Sequence, residues 1–225
     1  MTMYHNQYKL GNFVFRLDSS APLEMPKELA LFTCREEKPQ VTIPVPACEN
    51  RQSMVTWLLR DMNLRSLLLE RSAIVLHASY IIYNGKAILF TAPSQVGKST
   101  QAALWEKYRG AEIINGDRAL LQRTVNGFTA NGIFYCGSSG ICKNVTAPLQ
   151  AVVVLKRGDN KLQRIGGLAA FKVILPQCAY DIDKPQDIEL ASSIIAELIG
   201  AVPVFQLDAA ADEQSVVVLE NALKG

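Results

Sequence analysis

Short runs of alternating apolar and polar residues recur along the chain, which predicts a sheet-rich fold with helices between the strands. In the first fifty residues, the segments 13–17 and 41–43 have β-branched and aromatic character, with prolines between them. We therefore expect a strand-rich and irregular N-terminal part over residues 1–50.

The pattern changes to helical spacing between residues 51 and 71. Apolar residues recur there at positions one helical face would bury, namely Met54, Trp57, Leu58, Met62, Leu68 and Leu69. Arg65 interrupts this stripe by one position, and we expect its long side chain to reach solvent. The segment 51–71 is predicted to be an amphipathic helix packed on the core.

Asn84-Gly85 is a turn signal between two apolar runs, so residues 74–83 and 86–91 are predicted to form an antiparallel hairpin. A polar loop follows the second strand directly. In the common parallel-sheet nucleotide-binding folds, the strand before such a loop follows a crossover connection. Here the loop is expected to follow directly from an antiparallel hairpin.

The remaining elements follow from periodicity and turn residues. They are a helix over 99–108 ending at Gly110, a strand over 111–115, a hairpin turning at Asn126-Gly127, a third hairpin turning near 158–160, helices over 167–175 and 186–199, a strand over 202–207 and a helix over 211–223. No linker or internal repeat separates them, so we expect one α/β domain over 1–225, with 72–225 as its core.

Charge and composition exclude several classes of protein. The net charge is +2, with acids and bases interspersed, so no nucleic-acid or membrane surface is expected. Five scattered cysteines and two distant histidines do not favour structural zinc or a disulfide framework. No signal peptide is expected, and the predicted location is the cytoplasm.

The segment TAPSQVGKST (91–100) has most features of a phosphate-binding loop. Such a loop turns its backbone N–H groups towards the phosphates, uses a lysine for the β and γ phosphates and uses a hydroxyl for Mg²⁺. The predicted binding residues are Pro93, Ser94, Gln95, Val96, Gly97, Lys98, Ser99 and Thr100. Ala92 is a departure, because loops of this kind begin with glycine. Either the loop follows another backbone path, or its affinity is reduced.

Asp117 in EIINGD is the nearest acid after an apolar strand. One helix and one short strand would return it to the mouth of the loop, where it would bind Mg²⁺ together with Ser99 or contact an acceptor hydroxyl. A turn acid is the alternative interpretation. His77 lies on the preceding hairpin, and as a lone histidine it is compatible with a structural role.

These residues together resemble the catalytic domain of HPr kinase/phosphorylase and its shorter relatives associated with peptide modification. The resemblance depends on VLHAS, APSQVGKST, IINGD, GSSGICKN and the C-terminal tail, and covers about residues 70–224. It implies an α/β, phosphoenolpyruvate carboxykinase/HPr kinase-like P-loop fold with mixed, largely antiparallel sheets flanked by helices. It also implies ATP and Mg²⁺ as cofactors.

The resemblance further implies that His77 lies near the transferring phosphate and that Asp117 is the base, a metal ligand or both. Where the family has two adjacent acids, this chain has Gly116-Asp117. Asn115 or Arg118 is expected to compensate, the arginine by stabilising charge on the γ-phosphoryl group.

Three function classes are compatible with these features. The first is a kinase that phosphorylates a hydroxyl, such as serine, on a peptide, protein or small molecule; the second is a non-catalytic ATP-binding module. The third, a carboxykinase-like enzyme acting on a small acid, is disfavoured because the chain lacks the expected extra metal ligands and arginines.

The segment GSSGICKN (137–144) is predicted either to form a substrate lip or to be an ordinary surface loop. The candidate substrate contacts are Arg118, Ser138, Ser139, Lys143 and Asn144. Arg157 and Arg164 are expected to lie on a solvated face.

Overall fold

The chain forms two mixed sheets with helices packed against them, in a computed structural model that describes residues 3–23, 25–45, 57–58 and 62–224. The strands are β1 Tyr4–Leu10, β2 Phe13–Ser19, β3 Val41–Pro44, β4 Ala73–Tyr83, β5 Lys86–Thr91, β6 Glu112–Asn115, β7 Arg118–Thr124, β8 Gly127–Asn131, β9 Thr146–Arg157, β10 Lys161–Ile165, β11 Cys178–Ala179 and β12 Val204–Ala209. The helices are α1 Lys27–Ala30, α2 Leu64–Leu69, α3 Lys98–Arg109, α4 Gly167–Ile174, α5 Pro185–Ala201 and α6 Glu213–Lys224.

The smaller sheet contains the predicted N-terminal strands as β2 and β3, which pair in parallel. β1 was not predicted, and it forms an antiparallel hairpin with β2. Phe13 and Phe15 are fully buried between this sheet and α2, where they share a core with Leu64 and Leu68. Of the helix predicted over 51–71, residues 57–58 and 62–71 lie within the described residues. Asn63 has a left-handed backbone (φ 57°) directly before α2, so the predicted segment is not one continuous helix.

The larger sheet is organised by β4 and β9, two long strands that each pair along different parts of their length with different neighbours. The first half of β4 pairs with β7 and β11, whereas its second half pairs with β5 and β6. β9 pairs with β8 at its start and with β5 and β12 further along. The predicted hairpin that precedes the loop is confirmed, but β5 also pairs in parallel with β9, so the loop does not hang from an antiparallel ribbon alone.

The predicted third hairpin is wrong, although both of its strands exist. β12 lies between β9 and β10, parallel to the first and antiparallel to the second. β12 has buried residues on both faces, with Val204 on one and Phe205 and Leu207 on the other, whereas β10 has no fully buried residue. The more apolar strand therefore takes the interior position, and β10 becomes the edge strand.

Helices cover both faces of the larger sheet, because alternate residues of β9 are buried on opposite sides. Val153 and Leu155 pack with Trp105 of α3 and with α6. Val152 and Val154 pack on the other face with α4 and α5. None of the described helices is long and apolar enough to cross a membrane.

Glu220 joins α6 to α3 and the sheet. It accepts hydrogen bonds from Arg109 Nε at 2.7 Å and from the Tyr83 hydroxyl at 2.9 Å. Arg109, followed by Tyr83, lowers the pKa of Glu220 from its ordinary value of 4.5 to about 2. Because the folded-state pKa is depressed, Glu220 contributes its stability above about pH 4.5 and loses it as the pH falls towards 2.

We expect Glu220→Gln to lower the free energy of unfolding by about 1 kcal/mol at pH 7, because the substitution removes a charge from a network that solvent partly screens. The difference from wild type should shrink as the pH falls from 4.5 towards 3. Urea unfolding at several pH values measures this difference. Glu213→Gln is the matched control, because Glu213 contacts the same arginine but its side chain is 52% exposed. Equal losses in the two variants at pH 7 would contradict the assignment to Glu220.

Candidate active site

The loop between β5 and α3 makes its left-handed turns at Gln95 (φ 66°) and Gly97 (φ 122°). Ala92 has no left-handed backbone, and its side chain is buried in the core beneath α3. Alanine at this position therefore carries no left-handed backbone strain. The effect of Ala92 on affinity stays a prediction. A non-glycine residue in the left-handed region costs on the order of 1 kcal/mol, and such strain often occurs at functional sites.

Lys98 begins α3 and lies across the loop. Its ammonium group donates hydrogen bonds to the carbonyls of Ala92 at 3.1 Å and Pro93 at 3.4 Å. The residue is only 8% exposed, and burial lowers the pKa of Lys98 below its ordinary value, an effect that Asp117 partly offsets. A buried cation thus lies beside the exposed N–H groups at the start of a helix, which is an arrangement suited to anions.

Asp117 is held in place by a turn that Asn115 organises. The Asn115 side chain is fully buried, and its amide donates to the carbonyls of Ile133 and Tyr135. Its Oδ1 accepts from the backbone N–H groups of Asp117 and Arg118, both at 2.9 Å. Asn115 is therefore a positioning residue, and its side chain does not replace the missing acid.

The side chains of His77 and Arg118 flank the Asp117 carboxylate. His77 Nε2 lies 3.4 Å from one oxygen, and Arg118 Nε lies 3.4 Å from the other. His77 has the largest effect and, together with Arg118, holds the pKa of Asp117 below its ordinary value, against the opposing effect of burial. The carboxylate is therefore ionised at neutral pH and aligned by both neighbours.

These groups surround a cleft of about 310 Å³, which we call the loop cleft. It is lined by His77, Ser94, Gln95, Gly97, Lys98, Ser99, Thr100, Gly116, Asp117, Ser138 and Ser139. The fold thus brings the predicted loop, Asp117 and His77 to one opening. Pro93 and Val96 do not line the loop cleft and face a neighbouring pocket.

One part of the segment 137–144 lines the loop cleft, and the other part lies on the surface. Ser138 and Ser139 line the cleft, whereas Lys143 pairs with Glu112 and Asn144 donates to the Leu31 carbonyl, both on the exposed surface. A role of Lys143 or Asn144 in substrate binding stays a prediction.

Two glycines allow this segment to approach the turn at Asp117. A Cβ on Gly116 would lie 2.3 Å from Ser139 Oγ, and a Cβ on Gly137 would lie 2.8 Å from Asp117 Cγ. Gly137 also has a left-handed backbone (φ 56°). Ser139 therefore fills the space that a side chain at position 116 would need.

Two arginines have roles that the sequence interpretation missed. Arg157 lies on an exposed face, as expected, and its Nη2 also donates to the Gln95 carbonyl at 2.9 Å and supports the loop. Arg65 was expected to reach solvent, but its Nε is buried and its Nη1 lies 3.4 Å from the Tyr180 carbonyl. The interruption of an apolar stripe by arginine was the available signal for Arg65.

Ser99 and Asp117 offer a hydroxyl and a carboxylate oxygen at the same cleft. This donor set suits Mg²⁺, which prefers oxygen ligands, retains waters and is commonly bound by one or two carboxylates plus substrate phosphates. Among the described residues, no group of three or more His, Cys, Asp or Glu side chains could hold a metal ion. The two side chains therefore suit a metal ion that is bound together with a phosphate ligand.

No protein-family model matches the sequence, and no curated protein matches it. Among solved structures, the chain is similar to the Hpr(Ser) kinase/phosphatase from Coxiella burnetii, with a TM-score of 0.38 and 11% sequence identity. The similarity covers 67% of this chain and 88% of that one. At this distance it transfers neither residue roles nor an activity.

Proposed function

We propose that this protein is an HPr kinase-like, ATP-dependent kinase that transfers the γ-phosphoryl group to an acceptor hydroxyl. The observation that carries the proposal is the convergence of Lys98, Asp117 and His77 on one cleft at the start of α3. Phosphoryl transfer requires mainly positioning and charge neutralisation, and these groups supply both.

A second cleft supports a nucleotide rather than free phosphate as the ligand. This side cleft, of about 370 Å³, lies beside the loop and shares Gln95, Gly97 and Thr100 with the loop cleft. Its other walls come from Gln101, the end of β9 and the segment after β12. A nucleotide with its phosphates in the loop cleft has room for its nucleoside there.

Each residue has a defined task in this proposal. The loop amides and Lys98 bind the β and γ phosphates, and Ser99 and Asp117 are the protein ligands of Mg²⁺, which neutralises phosphate charge when bound. Asp117 accepts the proton of the acceptor hydroxyl. His77 keeps Asp117 ionised and aligned, and Arg118 is the nearest cation on its other side.

A non-catalytic ATP-binding module of the same fold is the second candidate. The presence of a single acid favours this candidate, because this chain has Gly116 where the HPr kinase/phosphorylase family, which it resembles, has a second carboxylate. A module of this kind would bind Mg²⁺·ATP and would show no transfer to any acceptor.

The proposal is tested by calorimetric titration of ATP into the full chain, with and without Mg²⁺. We expect Mg²⁺-dependent binding that is about 100-fold tighter than the binding of AMP, which lacks the β and γ phosphates. AMP is therefore the matched control ligand. Absence of ATP binding under both conditions would contradict both the kinase and the binding module.

A further inference from the structure

A cavity of about 220 Å³, which we call the arginine cavity, lies between α2 and the larger sheet. It is lined by Leu64, Arg65, Leu68, Val75, Arg118, Ile133 and Ala179. Apart from the two arginines, every lining residue is apolar. The cavity therefore combines two cationic groups with an apolar wall and has no acidic lining residue in the described part of the chain.

Both arginines offer an unused donor. The Nε atoms of Arg65 and Arg118 are buried and have no hydrogen-bond partner among the described residues. Arg118 is held by the Tyr135 ring, 4.5 Å from its guanidinium carbon. Its contact with Asp117 at 3.4 Å is an ion pair that does not satisfy the Nε donor. Arginine donors that lack a well-aligned partner can donate to the acceptor oxygens of a ligand, so both side chains are available to an anionic group in the cavity.

The arginine cavity and the loop cleft are joined through adjacent residues. Arg118 pairs with His77 across β7 and β4, and Val75 of the cavity lies two residues before His77 on the same face of β4. Asp117 lines the loop cleft and contacts Arg118, which lines the arginine cavity. A ligand with an anionic group at the arginines would thus extend towards the proposed base.

We propose that the arginine cavity binds the carboxylate of a small hydroxy acid and that this molecule is the phosphoryl acceptor. Planar guanidinium groups match a carboxylate better than a point charge does. The cavity holds about seven liquid water volumes, which suits a skeleton of a few carbons. The apolar wall packs against that skeleton.

The transfer step follows from this placement and rests on the proposed kinase function. The acceptor oxygen forms a bond to the γ-phosphorus as the bond from that phosphorus to the β–γ bridging oxygen breaks. Asp117 takes the hydroxyl proton, ADP leaves, and the product is a phosphate ester of the hydroxy acid. Arg65 and Arg118 act as binding residues in this step.

The first test is binding without nucleotide, with D-glycerate and L-serine as probes and glycerol as the uncharged counterpart of glycerate. We expect calorimetry to show that at least one of the two acids binds and that glycerol does not. Arg65→Gln should raise the Kd of that acid about tenfold, and Arg118→Gln should do the same. Arg123→Gln, on the exposed end of β7, is the matched control and should leave the Kd unchanged.

The second test is ester formation with Mg²⁺·ATP, followed by phosphorus NMR. Arg65→Gln should raise the KM for the acid about tenfold while kcat and the Kd for ATP stay near wild type. The inference is overturned if neither acid binds, if inorganic phosphate binds and the acids do not, or if both arginine variants bind as the wild type does. It is also overturned if a serine-containing peptide is phosphorylated and the acids are not.

The two proposals fail separately in these measurements. If Mg²⁺·ATP does not bind to the wild type, the kinase proposal fails, and the acceptor role of the hydroxy acid fails with it. Binding of the acids without nucleotide still decides whether the cavity is a carboxylate site. If ATP binds but neither acid does, the kinase proposal stands and the arginine cavity has been assigned wrongly.

Discussion

The Asp117→Asn variant is expected to bind ATP nearly as well as the wild type and to transfer phosphate about 10³-fold more slowly. The amide keeps the shape of the carboxylate but cannot take a proton. The local fold should survive, because Asn115 and the Ala78 N–H hold the backbone of residue 117 without using its side chain. ADP formation with the best acceptor of the wild type measures transfer, and calorimetry measures ATP binding.

The matched control for this variant is Asp159→Asn, which changes an exposed acid in the turn after β9. It should leave both transfer and ATP binding unchanged. Retention of transfer in Asp117→Asn would show that another group accepts the proton. A loss of ATP binding equal to the loss of transfer would instead assign Asp117 to metal binding alone.

The Lys98→Ala variant is expected to lose about 100-fold in affinity for Mg²⁺·ATP, because it removes the charge-assisted bonds to the β and γ phosphates. Its melting temperature should equal or exceed that of the wild type. Burial disfavours the charged lysine, as its lowered pKa indicates, so removing the charge relieves a cost in the folded state. Calorimetry and thermal unfolding measure the two effects.

Lys161→Ala, on the exposed edge strand β10, is the control for removal of a surface lysine. It should bind Mg²⁺·ATP as the wild type does. The assignment of Lys98 fails if the two variants bind ATP equally well. A large drop in the melting temperature of Lys98→Ala would mean that its ammonium group stabilises the loop through Ala92 and Pro93.

Much of the local structure was predictable, because the signals are short-range. Asn84 and Gly85 both have positive φ, as the predicted tight turn requires, and Gly110 ends α3 in the left-handed conformation. The pairing of β9 with β10 failed as a prediction because β12, about forty residues further along, takes the place between them. Turn residues carry no information about a strand that arrives later from the distant chain.

The residues of the candidate site were likewise predictable only where the signal is local in the sequence. Residue type and spacing predicted that the loop and Asp117 would lie at one opening, and they do. The place of Arg65 in the cavity lining could not be predicted, because that cavity forms only when α2 packs on the larger sheet. The left-handed backbone at Gln95 was also invisible, since a motif based on glycine directs attention to Gly97 and Ala92.

The close approach of Gly116 and Ser139 makes the side chains that the two positions can carry depend on each other. An acid at position 116 would meet the Ser139 side chain, so it would be accepted only after position 139 had become smaller or its segment had moved. A side chain at position 139 is equally constrained by the glycine opposite it. The present backbone therefore accommodates a side chain at one of the two positions and not at both.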